Sequence, residues 1–504
     1  MNHTSLYQAT FKPQAYYFPP YRIRKIKCDE TKPVCTKCAS TGRKCDGYTH
    51  DTLDSKSPKQ LTPFRPVPTA QNSKVENITR GISSVLTGSP EDIRLLEIFY
   101  VKCLPIIPGH TKSKIWTTLI PQMSQTEPVI WHAMLAVASL FEHTEVLGTP
   151  IYNSFLESND VVISRPKAIA ISHYTKALRG MQQQLGSTIS SSTIVLTACI
   201  IFTCIEALRG NTKAALAHIE NGSNILKNFP QKDERGAPSD HEETALSLGG
   251  DIKDSLLYSF TRLRILSSSI QEYTQCTASK GSFSGALANC PPDMKFETLD
   301  EARYAQGRIM KNAALVVYGA TQEGRGQTTF PSGPDAAVAS RIQVDAQLRQ
   351  WTNAFDSFMK GHSRRRRDIE SKQPKSGFVI LRFFAKLCSI RLWVSFLPQG
   401  PALNAMAADF KEVLDLAEEC TVLQSRDVDP MSGKTNQPPL FIMDMGVLPG
   451  LFFVACKCPD LSLRWRAIEM LERTPRREAL WCSVTAARTA RSVLETGTTW
   501  PGAI

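Results

Sequence analysis

Four cysteines near the start of the chain limit what that segment can form. Cys28, Cys35, Cys38 and Cys45 lie close together, whereas the other ten of the chain's 14 cysteines are scattered. Two and then six residues separate the last three, and this spacing lets a short turn and the following helix bring several thiolates to one metal ion. Lysine and arginine fill the gaps where four unrelated buried cysteines would need apolar neighbours, and they favour thiolate forms. The spacing therefore predicts a zinc site made by these four thiols.

The segment around the cysteines is also strongly basic. Residues 21–48 hold 8 lysines and arginines and 3 acidic residues. The resulting net charge of +5 is close to half of the chain's net charge of +12. A basic balance favours a polyanionic partner, either nucleic acid or an anionic membrane surface. The longest weakly charged stretch, residues 187–205, has too short an apolar part for a membrane span, which needs about 20 apolar residues. We therefore expect no membrane partner.

The cysteine usage indicates a reducing compartment. Fourteen cysteines in 504 residues are far fewer than a disulfide scaffold carries. The first 20 residues lack the charged start and continuous apolar stretch of a signal peptide. Clustered thiols in a reducing compartment are expected to bind metal rather than to form disulfides.

A change of composition divides the rest of the chain. Residues 49–89 combine four prolines with Ser, Thr, Lys and Gln, which cannot bury a core, and this composition predicts a disordered linker. Ser89-Pro90-Glu91-Asp92 then has the N-cap serine, the proline and the first-turn acids that announce a helix. We expect a large helical domain over residues 90–497.

The pattern after residue 90 is helical. Residues 129–141 and 194–208 are apolar nearly all round, as central helices are. A spacing of 3, 4, 3 and 4 predicts a helix with one apolar face formed by Ile171, Tyr174, Leu178, Met181 and Leu185. Alternating strand patterns are scarce. The predicted fold is mostly α, with loops near residues 146–163, 229–248, 276–297, 321–333 and 426–438.

The segment from Arg22 to Tyr48 resembles the fungal binuclear zinc cluster, a DNA-binding module in which six cysteines hold two zinc ions. The resemblance rests on RIRKIKCDETKPVCTKCASTGRKCDGY, which places the Cys-Asp-Glu, Lys-Pro and Gly-Arg pairs as that family does. The second half of the family motif is complete here. The first half would need cysteines at positions 18 and 21, which hold Phe18 and Tyr21.

Two explanations of this departure stay open at the level of sequence. Residues 1–21, an atypical segment, could result from a wrong start or a misread exon. Alternatively, the first half-cluster has been lost, and residues 22–48 form a partial domain that binds one zinc, or none, through the four remaining cysteines.

The resemblance also implies a role for the basic run before Cys28. In the family, a short helix here enters the DNA major groove, and the matched positions are Arg24 and Lys25 for base contact. Lysine and arginine suit guanine, which presents two acceptors in that groove. Arg22 and Lys27 match phosphate-contacting positions, which add affinity without sequence information. The alternative interpretation of this run is a nuclear localisation signal or a solvated basic stretch, and both roles can hold together.

The helical part resembles the regulatory homology region of the same family, at residues 173–185, 194–226 and 458–481. The resemblance implies a nuclear transcription regulator that binds double-stranded DNA at CGG-like half-sites of RNA polymerase II genes. It also implies a regulatory domain with a small-molecule effector or transcription co-regulators as partners, while the apolar spacing at residues 75–85 leaves a homodimer open. The alternative hypothesis is a helical interaction or effector-binding protein with a truncated zinc cluster that does not bind DNA.

Other motifs favour ordinary structural roles. Residues 281–285 have phenylalanine where a nucleophile elbow needs serine, and residues 319–326 lack the ending of a phosphate loop. His132, His218 and the Cys456-Lys457-Cys458 motif are interpreted as structural, and residues 364–367 as a solvated arginine loop. The apolar spacing at residues 75–85 is too short to establish a coiled coil. The sequence therefore predicts a protein that is not an enzyme.

Overall fold

The structure, a computed structural model, describes residues 88–110, 113–147, 164–185, 192–227, 250–274, 287, 290, 293–323, 334–365, 375–396, 401–428 and 438–497. All of them belong to one structural unit, Val75–Ile504. The predicted zinc cluster, the coiled-coil spacing at residues 75–85 and nearly all of the predicted linker lie outside the described residues.

The first part of the described domain is helical. Two π-helical segments, Phe99–Cys103 and Ile115–Leu119, are inserted between its first helices. In chain order the α-helices are Pro90–Ile98 (α1), Leu104–Ile106 (α2), Ile120–Met123 (α3), Pro128–Leu147 (α4), Arg165–Leu185 (α5), Ser192–Leu208 (α6) and Thr212–Lys227 (α7).

The second part adds longer helices and a small sheet. Its helices are Gly250–Thr274 (α8), Leu299–Glu323 (α9), Pro334–Arg365 (α10), Lys375–Val394 (α11), Pro401–Asn404 (α12), Ala407–Val428 (α13), Leu448–Lys457 (α14), Leu461–Arg473 (α15) and Ser483–Glu495 (α16). Its strands are Phe441–Ile442 (β1), Arg477–Glu478 (β2) and Trp481–Cys482 (β3). The mostly α prediction is confirmed, and the intervals between these helices fall near the predicted loops.

The predicted helix start at Ser89 and Pro90 is confirmed in detail. The Ser89 hydroxyl accepts a hydrogen bond from the Asp92 backbone N–H at 3.2 Å, and the Asp92 carboxylate accepts one from the Ser89 N–H at 3.0 Å. This reciprocal capping box satisfies two backbone donors that would otherwise lack partners at the start of α1.

The two segments predicted to be central helices are buried. Helix α6 buries every residue from Val195 to Leu208, and α4 buries a continuous run from Ala133 to Phe141. Helix α4 packs against α5 and α6, and α6 packs against α7. A helix that is apolar all round needs such neighbours on every side, which explains its place in the core.

One prediction about α5 is wrong. The helix forms, but Ile171 is 39% exposed, although the periodicity placed it on the apolar face. The buried face instead includes the small residues Ala170 and Ala177 and the polar His173, beside Tyr174. Alanine lets α5 approach α4 closely, so the neighbouring helix, rather than hydrophobicity alone, sets which face is buried.

The small sheet joins distant parts of the domain. Strand β1 pairs with β2 in parallel, with Phe441 opposite Arg477, and β2 pairs with β3 in antiparallel fashion. The backbone N–H of Met443, just after β1, donates to the Ile107 carbonyl at 2.8 Å. The sheet and this hydrogen bond fix the loop that follows β1, and that loop carries Asp444 to the site described below.

The core forms two hydrophobic clusters. The larger includes residues of α1, α4, α6 and α14, and the smaller is built mainly from α9, α10 and α11. Within the described ranges, no helix is both long enough and apolar enough to span a membrane.

Candidate functional site

The residues predicted to bind zinc and DNA lie outside the described residues, so their roles stay predictions. They are Cys28, Cys35, Cys38 and Cys45 for zinc, and Arg22, Arg24, Lys25 and Lys27 for DNA. The described residues contain another candidate site, a polar cavity in the helical domain.

The cavity lies between α8, α9 and the loop after β1. Its volume is about 50 Å³, and its wall includes Tyr258 and Arg262 from α8, Arg303 from α9 and Asp444 from the loop. We call it the Arg262–Arg303 cavity. Two arginines that are only 6% and 3% exposed on one small cavity are unusual, because buried charges need compensating partners.

Arg262 has strong partners. Its Nε donates to Asp444 Oδ1 at 2.9 Å and its Nη2 donates to the Met445 carbonyl at 3.0 Å. The guanidinium also lies 4.9 Å from the centre of the Phe384 ring. Burial alone would lower the pKa of Arg262, but the Asp444 carboxylate and Tyr258 together outweigh it and raise the pKa above its ordinary value. The side chain therefore keeps its charge.

Arg303 has weaker partners. Its Nη2 lies 3.4 Å from Asp300 Oδ1, and the guanidinium lies 4.9 Å from the centre of the Tyr258 ring and 5.3 Å from that of Tyr304. Burial alone would lower the pKa of Arg303, but Tyr258, Asp300, Tyr304 and Asp444 together outweigh it and raise the pKa. Its Nε has no hydrogen-bond partner among the described residues. Arg303 is thus a buried cation with donor capacity left over.

The fold around Asp444 explains how its carboxylate reaches the cavity. Asp444 Oδ1 accepts a second hydrogen bond, from the Met445 backbone N–H at 2.8 Å. Gly109 approaches from the other side with a φ of +75°, and a Cβ added there would lie 2.9 Å from the Asp444 Cβ. Glycine meets both requirements, since it adopts this backbone conformation without strain and leaves room for the aspartate.

Sequence reasoning missed this cavity. Arg262 and Asp444 are 182 positions apart, and no short motif joins them. The available signal was the position of Arg262 on α8, where Ser255, Leu266 and Ser269 continue the same buried face. A charged residue on a buried helical face indicates a specific partner, but sequence spacing does not identify that partner.

The other motifs from the sequence have structural partners. His132 Nδ1 lies 3.1 Å from His173 Nδ1, and His218 Nε2 lies 3.2 Å from the Tyr174 hydroxyl. Burial raises the pKa of Cys456 to about 12 and that of Cys458 to about 11, so both remain thiols at neutral pH. In the described part of the chain, no group of three or more His, Cys, Asp or Glu is arranged to hold a metal ion.

Comparisons with known proteins supply the wider context. Residues 22–55 match the family model of the fungal Zn(2)-Cys(6) binuclear cluster domain, and residues 94–302 match that of the fungal specific transcription factor domain. The Arg262–Arg303 cavity has Arg262 inside the second match and Arg303 one residue beyond it. No solved structure matches the chain.

Curated relatives agree with both family matches. The aspercryptin biosynthesis cluster-specific transcription regulator atnN of Emericella nidulans is 26% identical, over 92% of this chain and 84% of its own length. The transcription regulator lscL of Purpureocillium lilacinum is 31% identical, over 41% of this chain and 48% of its own length.

Zinc is the cofactor of the matched N-terminal domain family. The cysteines of this chain can be compared with the six that this family uses to hold two zinc ions. Four clustered thiols suit one tetrahedral zinc ion, whereas two ions held by six sulfurs do not fit a chain with Phe18 and Tyr21. Cys28, Cys35, Cys38 and Cys45 are the residues that would hold the ion, which would supply folding energy rather than reactivity. The chain thus matches both the zinc-cluster domain and the fungal specific transcription factor domain, and it is similar over 92% of its length to a fungal transcription regulator.

Proposed function

We propose that this regulator acts in the nucleus on RNA polymerase II genes and reads CGG-like half-sites in double-stranded DNA. The observation that carries the proposal is the basic run at residues 22–27, which directly precedes the first clustered cysteine inside the zinc-cluster match. The proposal assigns residues 22–48 to zinc and DNA, residues 49–89 to a linker and residues 90–497 to regulation. It includes a homodimer and an effector or co-regulator as further partners, and no enzymatic activity.

The proposed division of labour places the specific contact at Lys25. A lysine that donates to the O6 and N7 acceptors of guanine distinguishes this base from the others. Lys27, next to Cys28, would contact the phosphate backbone, which is the same in every DNA sequence. Arg24 could share the base contact.

A gel-shift titration of two variants tests this assignment on cognate and scrambled duplexes. Lys25→Ala should reduce discrimination for the cognate half-site by about 1–3 kcal/mol, the worth of a good guanine contact. Lys27→Ala should weaken binding to both duplexes and lower the salt slope by about 1. Equal losses on both duplexes for Lys25→Ala would show that the reading residue lies elsewhere.

A second candidate function follows from Phe18 and Tyr21. If four thiols do not fix the short basic helix, the chain would act as a helical interaction or effector-binding regulator without specific DNA binding. The same titration separates the two functions, with a Phe18→Cys/Tyr21→Cys variant as the matched comparison. Weak, salt-sensitive binding by the unmodified chain, together with specific binding by the double variant, would favour the second function.

A further inference from the structure

We propose that the Arg262–Arg303 cavity binds a small organic anion, a monocarboxylate with a short apolar body, as the effector of this regulator. The effector role rests on the proposed function, whereas the binding itself does not. Four features of the cavity support the proposal: incompletely used donors, the balance of charges, the apolar part of the wall and the size.

The first feature is the donor capacity of Arg303. A guanidinium has five N–H donors, and a buried donor without a partner costs free energy. The contacts of Arg303 are one ion pair at 3.4 Å and the faces of two tyrosine rings, and its Nε has no hydrogen-bond partner among the described residues. A carboxylate offers two acceptor oxygens in the geometry that a guanidinium prefers. Arg303 is therefore the residue on this wall that a carboxylate would complete.

The second feature is the balance of charges. Two guanidiniums and one carboxylate, Asp444, line the cavity, and Asp444 is engaged by Arg262. Asp300 pairs with Arg303 from outside the lining, at a position that is 28% exposed, where water screens its charge. An anion inside the cavity would interact with Arg303 with less screening, whereas a neutral molecule of the same shape would not form an ion pair.

The third feature is the apolar part of the wall. Trp116, Ile200, Leu266 and Met445 line the same cavity as the two arginines. The flexible thioether side chain of methionine adapts to ligands of different shape. The wall therefore offers apolar surface for a short hydrocarbon as well as groups that bind a charge.

The fourth feature is the size. The cavity has a volume of about 50 Å³ and is partly open to solvent, so it has room for a carboxylate and the first carbons of a short-chain acid but not for a nucleotide or a sugar phosphate. The ligand would also touch α8, α9 and the loop after β1 at once. Binding across three elements favours one arrangement of the domain, which is the physical basis for an effector response.

Titration calorimetry with the full-length chain and sodium butyrate tests the binding step. Butyramide is the neutral control of matched shape, inorganic phosphate is the control for a general anion site, and sodium chloride keeps the ionic strength constant. We expect saturable binding of butyrate and no binding of butyramide or phosphate. Equal binding of butyramide, tighter binding of phosphate, or no binding of butyrate would each overturn the proposal.

Two arginine variants test the site. Arg303→Met should weaken butyrate binding by about tenfold or more, since it removes the charge and keeps most of the apolar stem. Arg341→Met is the matched control. Like Arg303, Arg341 lies over an aromatic ring, that of Trp393 at 4.4 Å, and its Nε has no hydrogen-bond partner among the described residues. Unlike Arg303, it is not on the cavity wall. An equal loss of affinity in both variants would overturn the proposal. If Arg303→Met does not fold, Arg303→Lys keeps the charge and should still show weakened binding.

A gel shift with and without butyrate then tests the effector role. A change in DNA affinity of about twofold or more that Arg303→Met abolishes would support it. Unchanged DNA affinity with saturable butyrate binding would overturn the effector role and leave the site intact. If the unmodified chain does not bind DNA specifically, the proposed function is contradicted. The calorimetric result on butyrate binding would remain valid in that case.

Discussion

At the scale of single residues, one short relay of side chains ties the start of the helical domain to its core. Asp92 uses one carboxylate oxygen to cap Ser89, and its other oxygen lies 3.3 Å from His173 Nε2. His173 Nδ1 in turn lies 3.1 Å from His132 Nδ1, so one ring must donate and the other accept. Burial lowers the pKa of both histidines below the ordinary value of 6.5, and the pair is therefore neutral at pH 7.

This relay predicts that acid destabilises the helical domain. Because the folded pKa values are depressed, the unfolded chain binds more protons below pH 6.5, and stability falls as the pH falls. We expect the free energy of unfolding to fall through this pair as the pH is lowered from 7 to 5. Denaturant unfolding at several pH values measures it.

The control for this effect is a half-buried histidine, His143. His132→Gln with His173→Gln should flatten the pH dependence more than His143→Gln, because His143 lies beside Ser164 rather than beside a second imidazole. An unchanged pH slope in the double variant would show that other groups cause the acid sensitivity.

Zinc content is a second prediction at the residue scale. The chain as written should bind at most one zinc ion tightly, since tetrahedral closure needs four sulfurs and only Cys28, Cys35, Cys38 and Cys45 are clustered. Replacing Phe18 and Tyr21 by cysteine should restore two ions. Elemental analysis of the purified proteins gives the count, and two ions on the unmodified chain would contradict this account.

At the scale of elements, close helix contacts depend on particular glycines. A Cβ added at Gly222 on α7 would collide with the ring of Phe260 on α8. A Cβ added at Gly361 on α10 would meet nothing within 4 Å. The same amino acid thus has a packing role at one position and only a conformational cost at the other.

The two glycines give a matched pair of predictions. Gly222→Ala should destabilise the domain by about 1–3 kcal/mol, because α7 and α8 must move apart. Gly361→Ala should stabilise it by about 0.5–1 kcal/mol through helix propensity alone. Denaturant unfolding of both variants measures the difference, and the contact is misassigned if Gly222→Ala is as stable as the unmodified protein.

At the scale of the whole molecule, α11 joins the two hydrophobic clusters. Phe383 and Phe384 belong to the larger cluster, whereas Leu381 and Ala385 on the same helix belong to the smaller one. A helix that is shared between two cores cannot lose one partner without exposing apolar surface on the other side. The described helices should therefore unfold together.

Two buried tryptophans test this cooperativity. Trp351, in the smaller cluster, donates to the Ala302 carbonyl at 2.8 Å, and Trp481, in the larger cluster, donates to the Ser269 hydroxyl at 3.2 Å. Replacing either by phenylalanine should cost about 1–3 kcal/mol, through a cavity and an acceptor that has lost its donor. Circular dichroism should show one transition, displaced in both variants.

Trp465→Phe is the control, because this side chain is 38% exposed. It should change stability by no more than about 0.5 kcal/mol. Two separate transitions in either buried-tryptophan variant would mean that the clusters unfold independently.

Features that depend on neighbouring residues in the chain could be predicted from the sequence. The capping box at Ser89 and Asp92 needs two side chains three positions apart, and the burial of residues 195–208 follows from an apolar segment without a polar face. The cysteine spacing likewise indicates zinc before any fold is considered. In each case the signal is contained in a short segment, so the order of the residues is enough to make the prediction.

Only the tertiary structure decided which distant residues meet. Arg262 and Asp444 are partners because a small sheet and a hydrogen bond to Ile107 hold the loop after β1 against α8. Ile171 is exposed because α4 covers a different face of α5. The physical reason is that burial and charge pairing depend on neighbours in space. Helices with the same apolar periodicity can pack against one another in several ways, so the periodicity alone does not select the neighbours.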